Sequence, residues 1–281
     1  MSGVIPDLSL PNRAGATPPA DPDDTAPQPA PRRSAATLID QWGLWVAPLL
    51  IAGLAGLLAL YHRSLDLENA VRQQRSALSW SDKLWPQTLQ HLEIAAYSTL
   101  LVVVIAIPLG ILLTRPAFRR VAPTLMTVAN SGQAFPAYGL LVGGLFLLGN
   151  GTATVVYCLA LFALLPVLRN TMVGLDGVDR NVIEAGRGMG MTRRLVLTRI
   201  ELPLAVPVIL AGVRTAMVLN IGMATLAFLI GGGALGITIS SGLKLNQDPV
   251  LIVGAVMVAI VALTFDWLGA VAERYLRPRG L

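Results

Sequence analysis

The residues able to do chemistry crowd into one polar stretch, residues 181–203, which holds Glu184, Arg187, Arg193, Arg194, Arg199 and Glu201. Nothing around them forms a catalytic set. The run Gly186-Arg-Gly-Met-Gly has the outward look of a nucleotide-binding glycine loop, but no strand precedes it and no P-loop Lys-Ser/Thr pattern occurs anywhere. The chain is therefore expected to be no enzyme and to hold no cofactor of its own. His62 and His91 lack metal-ligand spacing and are expected at a membrane interface. Cys158, the single cysteine, lies inside an apolar run and is expected to be a small buried hydrophobe, so no metal site is expected. Several charges gathered in one place make polar contacts with another surface, and the stretch reads as a docking surface.

A second group of polar residues lies inside apolar segments. Arg214 follows Pro203 by 11 residues, about 16 Å along a helix, and Asp266 precedes Arg274 by eight, about 12 Å. Two antiparallel helices bring them to similar depth. An unpaired charge near a bilayer centre costs at least ~2.5 kcal/mol. Arg214 and Asp266 are therefore expected to face inward and to pair or share a wet cavity. Whether they hold the bundle together or line a transport route stays open at this point, and Asn220 and Thr225 offer polar groups along the same segment.

These residues need apolar helices to position them. Of the 281 residues 54% are hydrophobic and 13% charged, against about 25% charged in soluble domains. Several apolar runs reach the ~20 residues that cross a bilayer as a helix, and the alternating segments of an outer-membrane barrel are absent. The fold class is all-α, a polytopic membrane protein with about six spans, near residues 42–61, 92–113, 121–148, 152–168, 203–230 and 250–271. The third is interrupted by Asn130-Ser131-Gly132-Gln133 and by Pro136. A polar break at membrane depth needs cover from protein or water, so Pro136 marks either the wall of a pathway or a kink in a packed helix.

The ends and connections complete the layout. Residues 1–38 are rich in Pro, Ala and Asp and are expected to form a disordered tail. Residues 39–88 comprise the first span and a polar connection with room for a short helix on the membrane face, 89–276 a core, and 277–281 a C-terminal tail. The net charge of +5 points to membrane topology and not to nucleic acid. With both termini and the loop 181–203 on one side, that side carries 15 Arg and the other five Arg or Lys. Basic residues favour the cytoplasmic face, which places the loop and both termini in the cytoplasm.

The loop has a recognisable spacing: Glu184-Ala185-Gly186, three residues, Gly190, nine residues, Ile200, one residue, Leu202-Pro203. This resembles the EAA loop of permease subunits of binding-protein-dependent ABC importers, with Gly186 in place of the second Ala. The segments 201–216, 220–227 and 230–236 resemble the osmoprotectant branch, whose importers carry glycine betaine, carnitine, choline and related quaternary amines. The similarity covers roughly residues 89–276 and departs at Phe135-Pro136-Ala137-Tyr138, where the family has an Ile-Pro-Ser-Leu type stretch. It implies a type I importer permease in the inner membrane. The implied partners are ATP-hydrolysing ABC subunits that bind the ATP, a second permease subunit (a copy or a paralogue), a periplasmic or lipid-anchored substrate-binding protein, and membrane lipid. In that scheme Glu184, Ala185, Gly186, Arg187 and Gly190 couple to the ATPase, while Pro136, Tyr138, Arg214, Asn220 and Asp266 are candidates for the pathway. Tyr138 and Phe135 have aromatic faces of the kind that attract quaternary ammonium groups. An energy-independent channel or secondary carrier, and a scaffold that docks soluble proteins, are the rival expectations.

Overall fold

A computed structural model describes residues 35–134 and 136–276. The N-terminal tail up to residue 34, Phe135 and the C-terminal tail at 277–281 lie outside the described residues. Contacts divide the chain into Met1–Asp40 and Gln41–Leu281, and the packing below is that of the second unit.

The described residues are helical and contain no strand. Helix α1 is Ala35–Ser64 and a short α2 is Arg72–Ala77. A π-type turn, Trp80–Leu84, runs directly into α3, Trp85–Leu113. Then come α4 (Ala122–Ala134), α5 (Ala137–Leu148) and α6 (Thr152–Asp176). The polar loop folds into α7 (Arg180–Gly188) and α8 (Arg193–Val196), and a second π-type turn, Leu197–Glu201, continues into α9 (Leu202–Ala224). Two last helices are α10 (Gly236–Lys244) and α11 (Asp248–Leu276).

Among the described residues five helices are long and apolar enough to cross a membrane: Trp45–Ser64, Trp80–Leu113, Thr152–Asp176, Arg193–Ala224 and Asp248–Leu276. The expected third span is instead a pair of short helices, α4 and α5, parted at Pro136. Asn130 to Gln133, expected to break the helix, lie within α4. Proline disfavours a helical conformation in the residue before it, and Pro136 itself is extended, with ψ 131°. The fifth span starts at Arg193 and not at 203, because the π-type turn carries the helix through Leu197–Glu201 without a break. It ends at Ala224, short of the expected 230.

The second span also starts earlier than expected, at Trp80 and not at 92, with Ser79 capping it by accepting from the Asp82 N–H at 3.4 Å. That extension corrects the expectation for His91. Eleven residues inside the helix, it is wholly buried, and its Nε2 donates to the Ile221 carbonyl at 2.8 Å. Gln90 on the same turn accepts from the Ala234 N–H at 3.0 Å, and the Thr238 hydroxyl donates to Gln87. One face of α3 thus holds the chain between α9 and α10, where Ala234 has a left-handed φ of 69°.

The core is the packing of α3, α6 and α9, with α11 against α9, and α4 and α5 against α6. In a bilayer, helices associate through close backbone approach and not through expulsion of water, so small residues mark the seams. Gly110 faces Thr171, Gly174 faces Ala205, and Gly212 faces Asn170 and the Pro166 carbonyl. The first pair joins α3 to α6, and the other two lie along antiparallel α6 and α9. Buried apolar side chains such as Val102, Ala106, Ala163, Val167 and Ala216 fill the space between them.

Candidate functional site

Helix α7 is short, and local chemistry defines both ends. Asp179 caps the first turn by accepting from the Asn181 N–H at 2.9 Å, which supplies one of the donors that a helix start leaves unpaired. At the other end Met191 N–H bonds to the Gly186 carbonyl at 3.1 Å and Gly190 N–H to the Arg187 carbonyl at 2.9 Å. This is the double bond of a Schellman cap. It needs a left-handed residue, and Gly190 provides it at φ 84°. Thr192 then caps α8 by accepting from the Leu195 N–H at 3.3 Å.

Gly186 is the one buried residue of α7. A β-carbon on it would stand 2.5 Å from Cδ1 of Ile200 and 3.5 Å from the Met191 sulfur. Glu184, Ala185, Arg187 and Gly190 are all exposed, as is Met189 at 73%. The helix therefore rests one glycine face on the root of α9 and turns Glu184, Ala185 and Arg187 outward. Such a surface carries a charge of either sign beside an apolar Met, which suits a protein groove.

Behind α7 lies an ion pair that reasoning from sequence passed over. Arg115, just past the end of α3, donates to Glu201 at 2.6 Å. The Glu201 side chain is only 7% exposed, and Arg115 32%. Arg115 also reaches the Thr114 hydroxyl and the Ile111 carbonyl, each at 3.2 Å. Glu201 was legible as a charge in the loop. Its partner lies 86 residues away, and no spacing rule links the two.

Deeper along α9, Arg214 and Asp266 of α11 form a two-pronged pair, Nε to Oδ1 and a terminal nitrogen to Oδ2, both at 2.6 Å. This is the fork geometry at which arginine binds carboxylate best. Glu273, about two turns further along α11 than Asp266, lies 3.9 Å from the guanidinium. The arm of Arg214 crosses α11 at Gly269, where a β-carbon would meet Cγ at 2.9 Å. The pair is not sealed: Arg214 is 31% and Asp266 41% exposed in the single chain.

Asn220 is wholly buried. With its amide oxygen toward Thr99 it accepts from that residue's N–H and hydroxyl at 3.2 and 3.0 Å, and its nitrogen donates to the Leu159 carbonyl at 3.1 Å. It clasps α3, α6 and α9 together. Pro136 and Tyr138 are exposed at the start of α5, whose buried residues are Leu141 and Gly144. The structure thus brings Arg214 and Asp266 together, keeps Asn220 apart from them in the core, and leaves Tyr138 exposed in the single chain. Among the described residues no group of His, Cys, Asp and Glu has the makings of a metal site.

Residues 106–278 match the family described as binding-protein-dependent transport system inner membrane component. The choline transport system permease protein OpuBB of Bacillus subtilis (strain 168) is 43% identical over 195 residues, 69% of this chain and 89% of that protein. The osmoprotectant import permease protein OsmY of Salmonella typhimurium is 38% identical over 222 residues, 79% of this chain and 91% of that protein. Among solved structures, an inward facing conformation of the MetNI methionine ABC transporter superposes with a TM-score of 0.60 at 22% identity, over 68% of this chain and 94% of that one. An amino acid ABC transporter gives a TM-score of 0.58 at 18% identity, over 75% and 99%.

Proposed function

Since the chain belongs to the binding-protein-dependent transport system inner membrane components, a family of multi-pass permease subunits of ABC importers, we propose that it carries small osmoprotectants of the quaternary amine class: glycine betaine, carnitine or choline. The names of its relatives support that substrate class. The observation that carries the coupling is α7, an exposed helix whose buried glycine rests on Ile200 at the root of α9. An ATP-hydrolysing subunit grips Glu184, Ala185 and Arg187, and closure of the ATPase pair moves α7 and α9 as one body. The Arg115–Glu201 pair hands that movement to the end of α3.

The chain works with a second permease subunit, two ATPase subunits and a substrate-binding protein. The loop end of the bundle and both termini lie in the cytoplasm, consistent with the excess of Arg there. Pro136, Tyr138 and the Arg214–Asp266 pair line the route or its inner mouth, and Asn220 braces the helices that form it. The ATP is held by the partner subunits.

The test is uptake of labelled glycine betaine, carnitine and choline into proteoliposomes holding the permease, its ATPase and its binding protein. Uptake of at least one, dependent on ATP and on the binding protein, is the expected result. Uptake by the permease alone, without ATPase, overturns the coupling and points to a channel or carrier. No uptake of any quaternary amine, with ATP hydrolysis intact, overturns the substrate class.

A further inference from the structure

Helix α1 stands apart from the packed core. None of the residues in the most apolar window of Trp45–Ser64 is buried, while near its C-terminal end Leu58 and Tyr61 pack against a cluster containing Leu78, Leu84, Val253 and Met257. Between α1 and α11 this leaves a groove of about 500 Å³. Ala55, Leu58 and Ala59 form one wall, and Val253, Met257, Ile260 and Val261 the other. These are residues of two membrane-spanning helices, so the groove lies where lipid chains are the solvent. A void there forfeits dispersion contacts on every lining atom, and an apolar cavity offers water no partners.

The mouth of the groove has a different chemistry. Arg63, His62, Trp80, Trp85 and Thr88 line it. His62 is held in place by a 2.9 Å bond from its Nε2 to the Leu78 carbonyl. Trp80 and Trp85 are half exposed, as indole rings are at the level of lipid headgroups. Arg63 is exposed, and its guanidinium faces no carboxylate among the described ion pairs. A cation at the headgroup level, above an apolar slot that continues toward the middle of the membrane, has the polarity of one molecule: a phosphodiester on top and an acyl chain beneath. Arginine binds phosphate through paired N–H donors. A quaternary amine is disfavoured here, because the same cation repels it.

We propose that this groove is a specific site for one phospholipid, with an acyl chain between α1 and α11 and its phosphate on Arg63. The bound lipid completes the contact between α1 and the rest of the bundle. Over residues 55–63 the helix thus meets the permease through lipid as well as through the protein contacts of Leu58 and Tyr61.

The test uses the assembled permease–ATPase complex and needs no transport activity, so its outcome is independent of the substrate class. The complex is extracted in detergent, washed, and examined by native mass spectrometry for phospholipid retained on the permease. The wild type is expected to keep one phospholipid per permease chain. Ala59→Trp, which fills the slot, and Arg63→Ala, which removes the cation, are each expected to lower occupancy at least fivefold, while Arg63→Lys keeps most of it. As a second measurement, vesicles of phospholipid with bromine-labelled acyl chains should quench tryptophan fluorescence of the wild type more than that of Trp80→Phe with Trp85→Phe. The difference should shrink when Arg63→Ala is added. Complete loss of lipid from the wild type on washing, or equal retention in Arg63→Ala and wild type, overturns the site. If Ala59→Trp does not assemble, Arg63→Ala and the quenching decide.

Discussion

Gly186 of α7 lies directly against Ile200 at the root of α9, so close that a β-carbon on the glycine would stand 2.5 Å from Cδ1 of the isoleucine. The two residues are members of one spaced pattern, and their contact explains the spacing. A short helix, a glycine turn at Gly190 and a capped restart at Thr192 fold the chain back so that the residue 14 positions on from Gly186 meets it. The neighbour is the far end of a flexible side chain, so a methyl group fits after a small shift, whereas a larger group does not. Gly186→Ala is expected to keep uptake within about twofold, the roughly 1 kcal/mol gain in helix propensity offsetting the tighter contact. Gly186→Leu is expected to lower ATP-driven uptake at least tenfold. Uptake and ATPase rate, measured together in proteoliposomes, check this, and Gly186→Leu with Ile200→Ala should recover part of the loss.

Gly190 has a left-handed φ of 84° with open space around its α-carbon. Gly190→Ala therefore tests backbone conformation without a steric clash. A left-handed residue with a side chain costs about 1–2 kcal/mol, so the α7 turn loosens while the membrane helices stay folded. Faster proteolysis confined to the α7–α8 turn, with an unchanged melting temperature of the bundle, is the expected outcome.

Glu184 is exposed and forms no ion pair among the described residues. Changing it leaves the permease fold alone, since surface substitutions away from special features move stability by only about 0.5 kcal/mol. Glu184→Arg should abolish co-purification of the ATPase while the permease melts as before. A matching fall in permease stability would mean that Glu184 supports the fold and not the docking.

Glu201 and Arg115 make a test of transmission. Removing one partner of a buried pair leaves an uncompensated charge and costs about 3–5 kcal/mol, less where one side is as open as Arg115. Glu201→Gln and Arg115→Gln are each expected to destabilise the permease, and the double variant to cost less than their sum. A double-mutant cycle on thermal unfolding in detergent measures the difference. Strictly additive effects would show that the 2.6 Å contact contributes nothing.

Arg214 and Asp266 call for a similar cycle in a different medium. An isolated charge near the bilayer centre costs at least ~2.5 kcal/mol, so Arg214→Ala alone leaves Asp266 and Glu273 without their cation. Arg214→Ala with Asp266→Ala is expected to express and fold better than Arg214→Ala alone. Equal losses from the single and double variants would refute the pairing. Gly269→Leu, which takes the space of the Arg214 arm, should mimic the loss of the pair.

Much of the arrangement was legible in the order of residues, because apolar length and arginine placement are one-dimensional signals. A run of about 20 apolar residues has few other fates, and the stretch from Glu184 to Pro203 carries its spacing on its face. Boundaries were less legible. The helix through Arg193 and the one from Trp80 begin ten or more residues early, since a π-type turn preserves a helix across residues that look like a connection. His91 was misplaced for the same reason.

By itself, the sequence determined the helical membrane fold, the spacing of the stretch from Glu184 to Pro203 and the depth-matched charges of Arg214 and Asp266. Each follows from composition or spacing along a single chain. Only the tertiary structure decided which polar residues meet. It paired Arg115 with Glu201 across 86 positions, enclosed Asn220 between three helices, set His91 on the Ile221 carbonyl and opened the groove between α1 and α11. Those outcomes depend on how helix faces rotate against one another. That rotation is set by close packing at glycines such as Gly110, Gly174 and Gly212, a property of surfaces in contact.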